Sequence, residues 1–253
     1  MRYDTILLDA DGTLFDFHRA EKEAFYQTFS AYGLPARREL LARYIEINEA
    51  LWRDLEKGLV EKERLKTLRF FHIFDWMKAE GDCDQSLRSR LDSIDVDSFA
   101  EDYLTNLGRG HFLLPGALEL CRELAGSCGL YIATNGISRV QQSRLEASLI
   151  RPYIKNLFVS EAVGAAKPQK AYFDYVFRAL GLDTADKLSR TIILGDSLTS
   201  DMAGGAAAGI DTCWYAPGGL PEEGRPPVTY WIKELGEFRD IAEGRRDPCE
   251  RQQ

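Results

Sequence analysis
The chain reads as an α/β protein: a doubly wound, Rossmann-like parallel sheet that carries an inserted all-helical domain. Three observations lead there. Short apolar runs rich in Ile, Leu and Val recur along the chain, with helical patterns between them. From residue 17 to residue 107 no such run occurs, and the pattern is helical throughout. Hydrophobic residues make up 45% of the 253 positions, which suffices for one core domain and a smaller insert.

The first run is 4–9 (DTILLD), ending in polar residues and Gly, as a buried parallel strand does. Similar runs follow at 129–134 (GLYIAT), 156–160 (NLFVS), 190–195 (RTIILG) and 210–215 (IDTCWY), with a weaker one at 228–232 (VTYWI). Between them lie helical patterns at 116–126, at 138–149 (polar, with a thin apolar stripe) and at 169–180, where Tyr172, Phe173, Val176, Phe177 and Leu180 recur at helical spacing. A last helix is expected over 233–243, and residues 244–253 (GRRDPCERQQ) as a frayed polar tail. Alternation of this kind builds right-handed βαβ units.

The insert reads as amphipathic helices over 18–32, 36–56, 61–79, 84–92 and 96–107, punctuated by Gly33-Leu34-Pro35, Gly58 and Gly81. The expected domains are therefore a core of 1–16 with 108–253 and a helical insert of 17–107.

Charge and composition exclude several classes. The net charge is -8 and the pI about 5.1, which argues against nucleic acid and anionic membranes, because both need clustered cations. No apolar stretch approaches the ~18 residues of a membrane span, and the N-terminus lacks the apolar core and cleavage site of a signal peptide. Five cysteines, at 83, 121, 128, 213 and 249, form no CxxC or zinc spacing, so free thiols in a reducing cytoplasm are expected. His18, His72 and His111 are scattered.

Ligands of an open α/β sheet bind beyond the carboxyl ends of its strands. The polar residues there are Asp9-Ala10-Asp11-Gly12-Thr13, Thr134-Asn135-Gly136, Lys167-Pro168 and Gly195-Asp196-Ser197, with Asp201 shortly after. Asp9 and Asp11 are two apart, so on an extended chain they share a side. That spacing suits a nucleophile and an acid/base flanking one phosphorus atom, and equally suits a strand followed by an Asx turn. It does not suit an EF-hand, since Gly12 would put Leu7 at the first ligand position. Thr134 and the amides of Asn135 and Gly136 could cradle phosphate oxygens, or form an ordinary turn. Lys167 could neutralise nucleophile and phosphate, or be a surface lysine before a helix. Asp196 and Asp201 could hold a hard cation, and Asp201 could cap an Ala-rich helix near 202–208. GAAKPQK lacks the Walker A ending, GGAAAG is no GxGxxG, and no GxSxG occurs.

Taken in order, DADGT at 9–13, the Thr of ATNG at 134, the Lys of KP at 167 and GDSLTSD at 195–201 resemble the four motifs of the haloacid dehalogenase (HAD) superfamily. The insert falls where a type-one helical cap belongs, and the separation of 33 positions from Thr134 to Lys167 leaves no room for a type-two cap. The resemblance implies that Asp9 attacks phosphorus and becomes an aspartyl-phosphate, and that Asp11 protonates the leaving oxygen and then deprotonates water. It implies that Thr134, Asn135, Gly136 and Lys167 hold the phosphoryl group. Mg²⁺ would be bound by Asp9, Asp196 and the carbonyl of Asp11, with Asp201 supporting Lys167 or a metal-bound water. An acid at Asp11 is similar to the phosphatases and phosphomutases rather than the dehalogenases.

Within the insert, Asn48–Phe70 resembles bacterial pyrimidine nucleotide phosphatases, as does LFDFHRAEKEAF after the first motif. Glu56, Lys57 and Gly58 would then lie at the cap turn that meets substrate, although Trp52, Leu55, Leu65 and Phe70 also read as a plain helical core. The expectation is a cytoplasmic, Mg²⁺-dependent phosphatase acting on nucleoside monophosphates. The alternatives are a sugar-phosphate phosphatase, a β-phosphoglucomutase-like phosphomutase, or a phospho-accepting signalling module. The expected partner is a small phosphorylated metabolite, with no nucleic acid and no membrane, in a monomer or homodimer.

Overall fold
The computed structural model describes residues 1–80, 83–219 and 227–249, except for the side chain of Glu56. Gly81 and the last four residues of the expected tail lie outside these. The chain divides into two compact units, one of Met1–His18 with His111–Gln253, the other of Arg19–Gly110. These bounds fall two to three residues beyond those expected; α1 starts at Phe17 and α5 ends at Gly108.

The helical unit contains α1 (Phe17–Ala31), α2 (Arg38–Glu56), α3 (Lys62–Ala79), α4 (Gln85–Ser93) and α5 (Val96–Gly108). Asp84 and Asp95 cap α4 and α5 by accepting from the amides of Leu87 and Ser98. Its interior is aromatic: Phe25, Phe29, Tyr44, Phe70, Phe74, Phe99 and Tyr103 are buried and in ring contact. A buried polar chain crosses it, in which Arg69 donates to Asn48 at 3.3 Å and Asn48 to Glu21 at 2.8 Å. Asn48, Leu65, Arg69 and Phe70 of the Asn48–Phe70 stretch are therefore interior to this unit.

The other unit is built on one parallel sheet. Its strands are β1 (Thr5–Leu8), β2 (Gly129–Thr134), β3 (Asn156–Val159), β4 (Thr191–Gly195), β5 (Asp211–Tyr215) and β6 (Tyr230–Ile232), in the order β3-β2-β1-β4-β5-β6. Helices α6 (Ala117–Leu124), α7 (Ser138–Ala147), α8 (Ser160–Val163), α9 (Lys170–Leu180), α10 (Ala185–Ser189), α11 (Ala203–Ala207) and α12 (Phe238–Ala242) connect and cover it. Successive strand residues point to opposite faces. Ile6, Leu8, Ile192 and Leu194 pack in one core with α6 and α12, whereas Leu7 and Ile193 pack in a second core with α9. Both faces are covered, and this is why the strands are apolar throughout rather than alternating.

Register positions the site. Leu8 lies beside both Ile132 and Leu194, so β1, β2 and β4 end within two residues of one another. The chain runs outward from β1 to β3 and then crosses to β4 on the other side of β1, which makes the β1/β4 boundary the topological switch point.

Two expectations need correction. The described part of the tail is tied down rather than frayed. Arg246 donates to Glu237 and to the Trp231 carbonyl at 2.9 Å each, and the Cys249 amide donates to Thr229 at 2.8 Å. The last helix is also shorter than expected, a 3₁₀ turn over Leu235–Glu237 followed by α12, with Glu234 and Glu237 closing a capping box. Among the described residues all five cysteines are free, and no helix is long and apolar enough to cross a membrane.

Candidate active site
Asp9 follows β1, and its amide donates to Leu194 of β4 at 2.8 Å, which extends the sheet by one residue and holds the carboxylate at the switch point. Lys167 reaches it from the loop after α8. Its ammonium donates to Asp9 Oδ1 at 2.7 Å, to Asp201 Oδ1 at 2.6 Å and to the Ala133 carbonyl at 2.5 Å. Three acceptors match the three N–H donors of a lysine. Lys167 and Asp201 are 2% and 1% exposed, so this is a buried ion-pair cluster and not a surface lysine. Burial alone would depress the lysine, but Asp201 and Asp9 outweigh it and hold the ammonium well above an ordinary lysine.

Asn135 fixes the loop that carries Lys167. Its side-chain oxygen accepts from the Lys167 amide and its side-chain nitrogen donates to the Lys167 carbonyl, both at 2.9 Å. Thr134 is buried at the end of β2, and its hydroxyl accepts from the Gly136 amide at 3.1 Å.

Asp196 follows β4. Its carbonyl accepts from Trp214 at 2.8 Å and its carboxylate lies 3.5 Å from the Thr13 hydroxyl. Gly12 has φ 82°, and a side chain there would run into the Asp196 carboxylate, so this turn requires glycine for both conformation and space. Asp201 lies in a π-helical turn, Leu198–Met202, before α11. It does not cap the Ala-rich helix, in contrast to one expectation: its carboxylate is taken by Lys167 and by the Ser197 amide at 3.2 Å, and Ser197 caps the turn instead. Single-turn π-bulges often sit at functional sites because they re-aim one side chain out of helical register.

Asp9, Asp196 and Asp201 each offer an oxygen within 4.8 Å of the others. With all three ionised, the lone Lys167 ammonium leaves an excess of two negative charges. Burial and that excess together raise the carboxyl pKa values. Burial pushes the Asp9 carboxyl well up, and Asp201 and Asp196 push it further against the pull of Lys167. Asp196 is pushed to about 6 by the enclosing protein and by Asp201, a shift tempered by its position on the solvent-open rim. The donor set, hard carboxylate oxygens with two surplus charges, fits a divalent cation such as Mg²⁺.

Asp11 is turned elsewhere. Although it is two residues from Asp9, its carboxylate accepts from Gln141 at 2.5 Å and pairs with Arg144, both on α7. Asp9 and Asp11 thus take different partners. Gln141 and Arg144 are absent from the sequence-based site, yet a signal for them exists: Val140, Gln141, Arg144 and Leu145 are all buried on one face of α7, so two polar residues occupy core-facing positions of its thin stripe. Glu56, Lys57 and Gly58 belong to the helical unit, at the end of α2 and the turn after it, where Gly58 has φ 72°.

A doubly wound sheet whose switch point gathers an aspartate nucleophile candidate, a buried lysine and further aspartates defines a class of hydrolytic enzyme. Comparison with known proteins agrees. The family model for haloacid dehalogenase-like hydrolases matches residues 3–209, and the chain belongs to that family. It is 37% identical to the HAD-hydrolase YfnB of Bacillus subtilis over 95% of both chains. It is 33% identical to the pyrimidine 5'-nucleotidase YjjG of Escherichia coli, over 95% of this chain and 98% of that protein. The identity is also 33% with the pyrimidine 5'-nucleotidase PynA of Streptococcus pneumoniae, over 95% and 94%. A crystal structure of YfnB, described as bound to magnesium, superposes with a TM-score of 0.83 at 36% identity, covering 96% of this chain and 99% of that one.

Proposed function
We propose that this enzyme is a Mg²⁺-dependent phosphatase that hydrolyses nucleoside monophosphates through an aspartyl-phosphate on Asp9. The observation that carries the reading is Lys167, buried between Asp9 and Asp201 beside Asp196. Lys167 binds one oxygen of Asp9, Oδ1, and leaves Oδ2 as the attacking oxygen. Family membership supports the hydrolase class, and the two nucleotidase relatives support the substrate class.

In this mechanism Asp9 Oδ2 forms a bond to phosphorus as the ester P–O bond breaks. Asp11 gives a proton to the departing alkoxide, then takes one from the water that attacks phosphorus and frees Asp9. Lys167 holds Asp9 and neutralises the phosphoryl oxygens, and Thr134 with the neighbouring amides completes the phosphate cradle. Asp9, Asp196 and the Asp11 carbonyl would hold Mg²⁺, which would supply positive charge against the negative phosphoryl oxygens. The helical unit would act as a cap, with Glu56, Lys57 and Gly58 contributing to substrate choice. Free thiols and the acidic surface are in keeping with a cytoplasmic enzyme acting on small metabolites.

Phosphate release from a panel of nucleoside monophosphates and sugar phosphates tests this. Turnover of pyrimidine 5'-monophosphates with Mg²⁺, abolished by Asp9→Asn, is expected. Asp9→Asn protein that still releases phosphate would refute the covalent route, and preference for sugar phosphates would refute the substrate assignment.

A further inference from the structure
We propose that Gln141 and Arg144 are positioning residues that set the orientation of the Asp11 carboxylate for proton transfer. The proposal rests on the reading of Asp11 as the acid/base.

The arrangement is specific. Arg144 is fully buried and pairs with Asp11 Oδ1, while Gln141, 3% exposed, donates to Oδ2 at 2.5 Å. An aspartate carboxyl rotates within a broad torsional well. One donor would let it pivot, whereas two donors on separate oxygens fix its plane. The donors sit three apart on α7 and so project from one face.

Each half of the clamp is itself held. The Arg144 guanidinium lies over the Phe15 ring at 4.6 Å, and Phe15 belongs to the turn that carries Asp11: the Gly12 amide donates to the Phe15 carbonyl at 3.0 Å, and Asp11 bridges Phe15. The turn thus grips Arg144 between its carboxylate and its ring. Gln141 packs against Gly136, where any side chain would overlap the amide, so the loop after β2 leaves room for it.

The carboxylate is not sealed in. About a quarter of the Asp11 side chain stays accessible. Each carboxylate oxygen has two lone pairs, so with one on each oxygen held by α7 the remaining positions are open to a leaving-group oxygen. A guanidinium and an amide suit this task because neither accepts the transferred proton: arginine does not deprotonate in proteins, and the amide is neutral.

A device that aims a general acid differs from a structural staple in its dependence on the leaving group. Nucleoside departs as an alkoxide that needs a proton, whereas p-nitrophenolate departs without one. The measurement is kcat/KM, which reports events through bond cleavage, for uridine 5'-monophosphate and p-nitrophenyl phosphate with wild type, Arg144→Met, Gln141→Leu and Asp11→Asn. General acid catalysis is worth ~10²–10⁴-fold, and a misaimed group loses part of that. Arg144→Met is expected to lower kcat/KM about 10- to 100-fold on the nucleotide and less than about 3-fold on the nitrophenyl ester, scaled from the same range. Gln141→Leu should show a smaller split of the same sign, and it decides the matter if the Arg144 variant does not fold. Equal losses on both substrates, or no loss on either, would overturn the proposal. Asp11→Asn should show the largest split; if it shows none, the acid/base reading itself fails, and the clamp falls with it.

Discussion
Replacing Lys167 with Met keeps the length of the stem and removes the ammonium that separates Asp9 from Asp201. At 2.6–2.7 Å, each pair is worth ~6 kcal/mol of Coulomb attraction at an effective dielectric of 20. Much of this is offset by the cost of burying the charges, and breaking a buried pair by removing one partner costs ~3–5 kcal/mol. The loss belongs in that range, because three carboxylates are left crowded without the ammonium that joined two of them. For a domain of this size it corresponds to a Tm lower by about 10 °C.

The pH dependence gives a second check. The folded-state pKa of Lys167 lies above its unfolded value. Its contribution is therefore fully present below the unfolded value, near 10.5, and is lost only as the pH climbs through the folded one. Between pH 5 and 8 that contribution is constant. The abandoned carboxyls titrate instead, and Asp9 already lies well above an ordinary aspartate. A raised carboxyl favours folding at low pH, so the deficit of the variant should shrink on acidification from pH 8 to 5. Urea unfolding of both proteins in EDTA at the two pH values measures this. A deficit under ~1 kcal/mol at pH 8, too small for a buried pair, or one that grows on acidification would refute the reasoning.

Asn135→Ala removes both hydrogen bonds to the Lys167 backbone. It should cost ~1–3 kcal/mol in denaturant unfolding and lower kcat ~10- to 100-fold by displacing the ammonium; an unchanged kcat would show that the loop holds itself. Magnesium should raise Tm in a concentration-dependent way, by ~2.7 kcal/mol of stability at a hundredfold excess over Kd, and Asp196→Asn should abolish most of the shift seen by scanning calorimetry. Cys121 is pushed up to about 12 by burial, and burial raises Cys128 and Cys213 too. Because the thiolate is the nucleophile, native protein treated with iodoacetamide at pH 8 should label at Cys83 and Cys249 alone by peptide mass mapping, and label at Cys121 would contradict the packing.

What the sequence by itself determined is local or periodic. Ile6-Leu7-Leu8 and Ile192-Ile193-Leu194 announce strands covered on both faces, because an apolar run without alternation is stable only when both sides are buried. Asp9, Thr134, Lys167 and Asp196 were legible because strand ends in such a sheet face one edge. The five helices of the Arg19–Gly110 unit were legible from their apolar spacing and glycine stops. The tertiary structure chose among the alternatives left open for Lys167 and Asp201, and it alone supplied the partners of Asp11. Lys167 is 158 residues from Asp9, and Arg144 is 133 from Asp11. No local pattern encodes which carboxylate a distant cation meets, since that depends on strand order and register. Asp201 read equally well as a helix cap until Lys167 claimed it, and α7 turns Arg144 inward to meet Asp11. A charged group taken out of water must find an opposite charge, and only the packed fold shows where Asp11, like Asp9, finds its own.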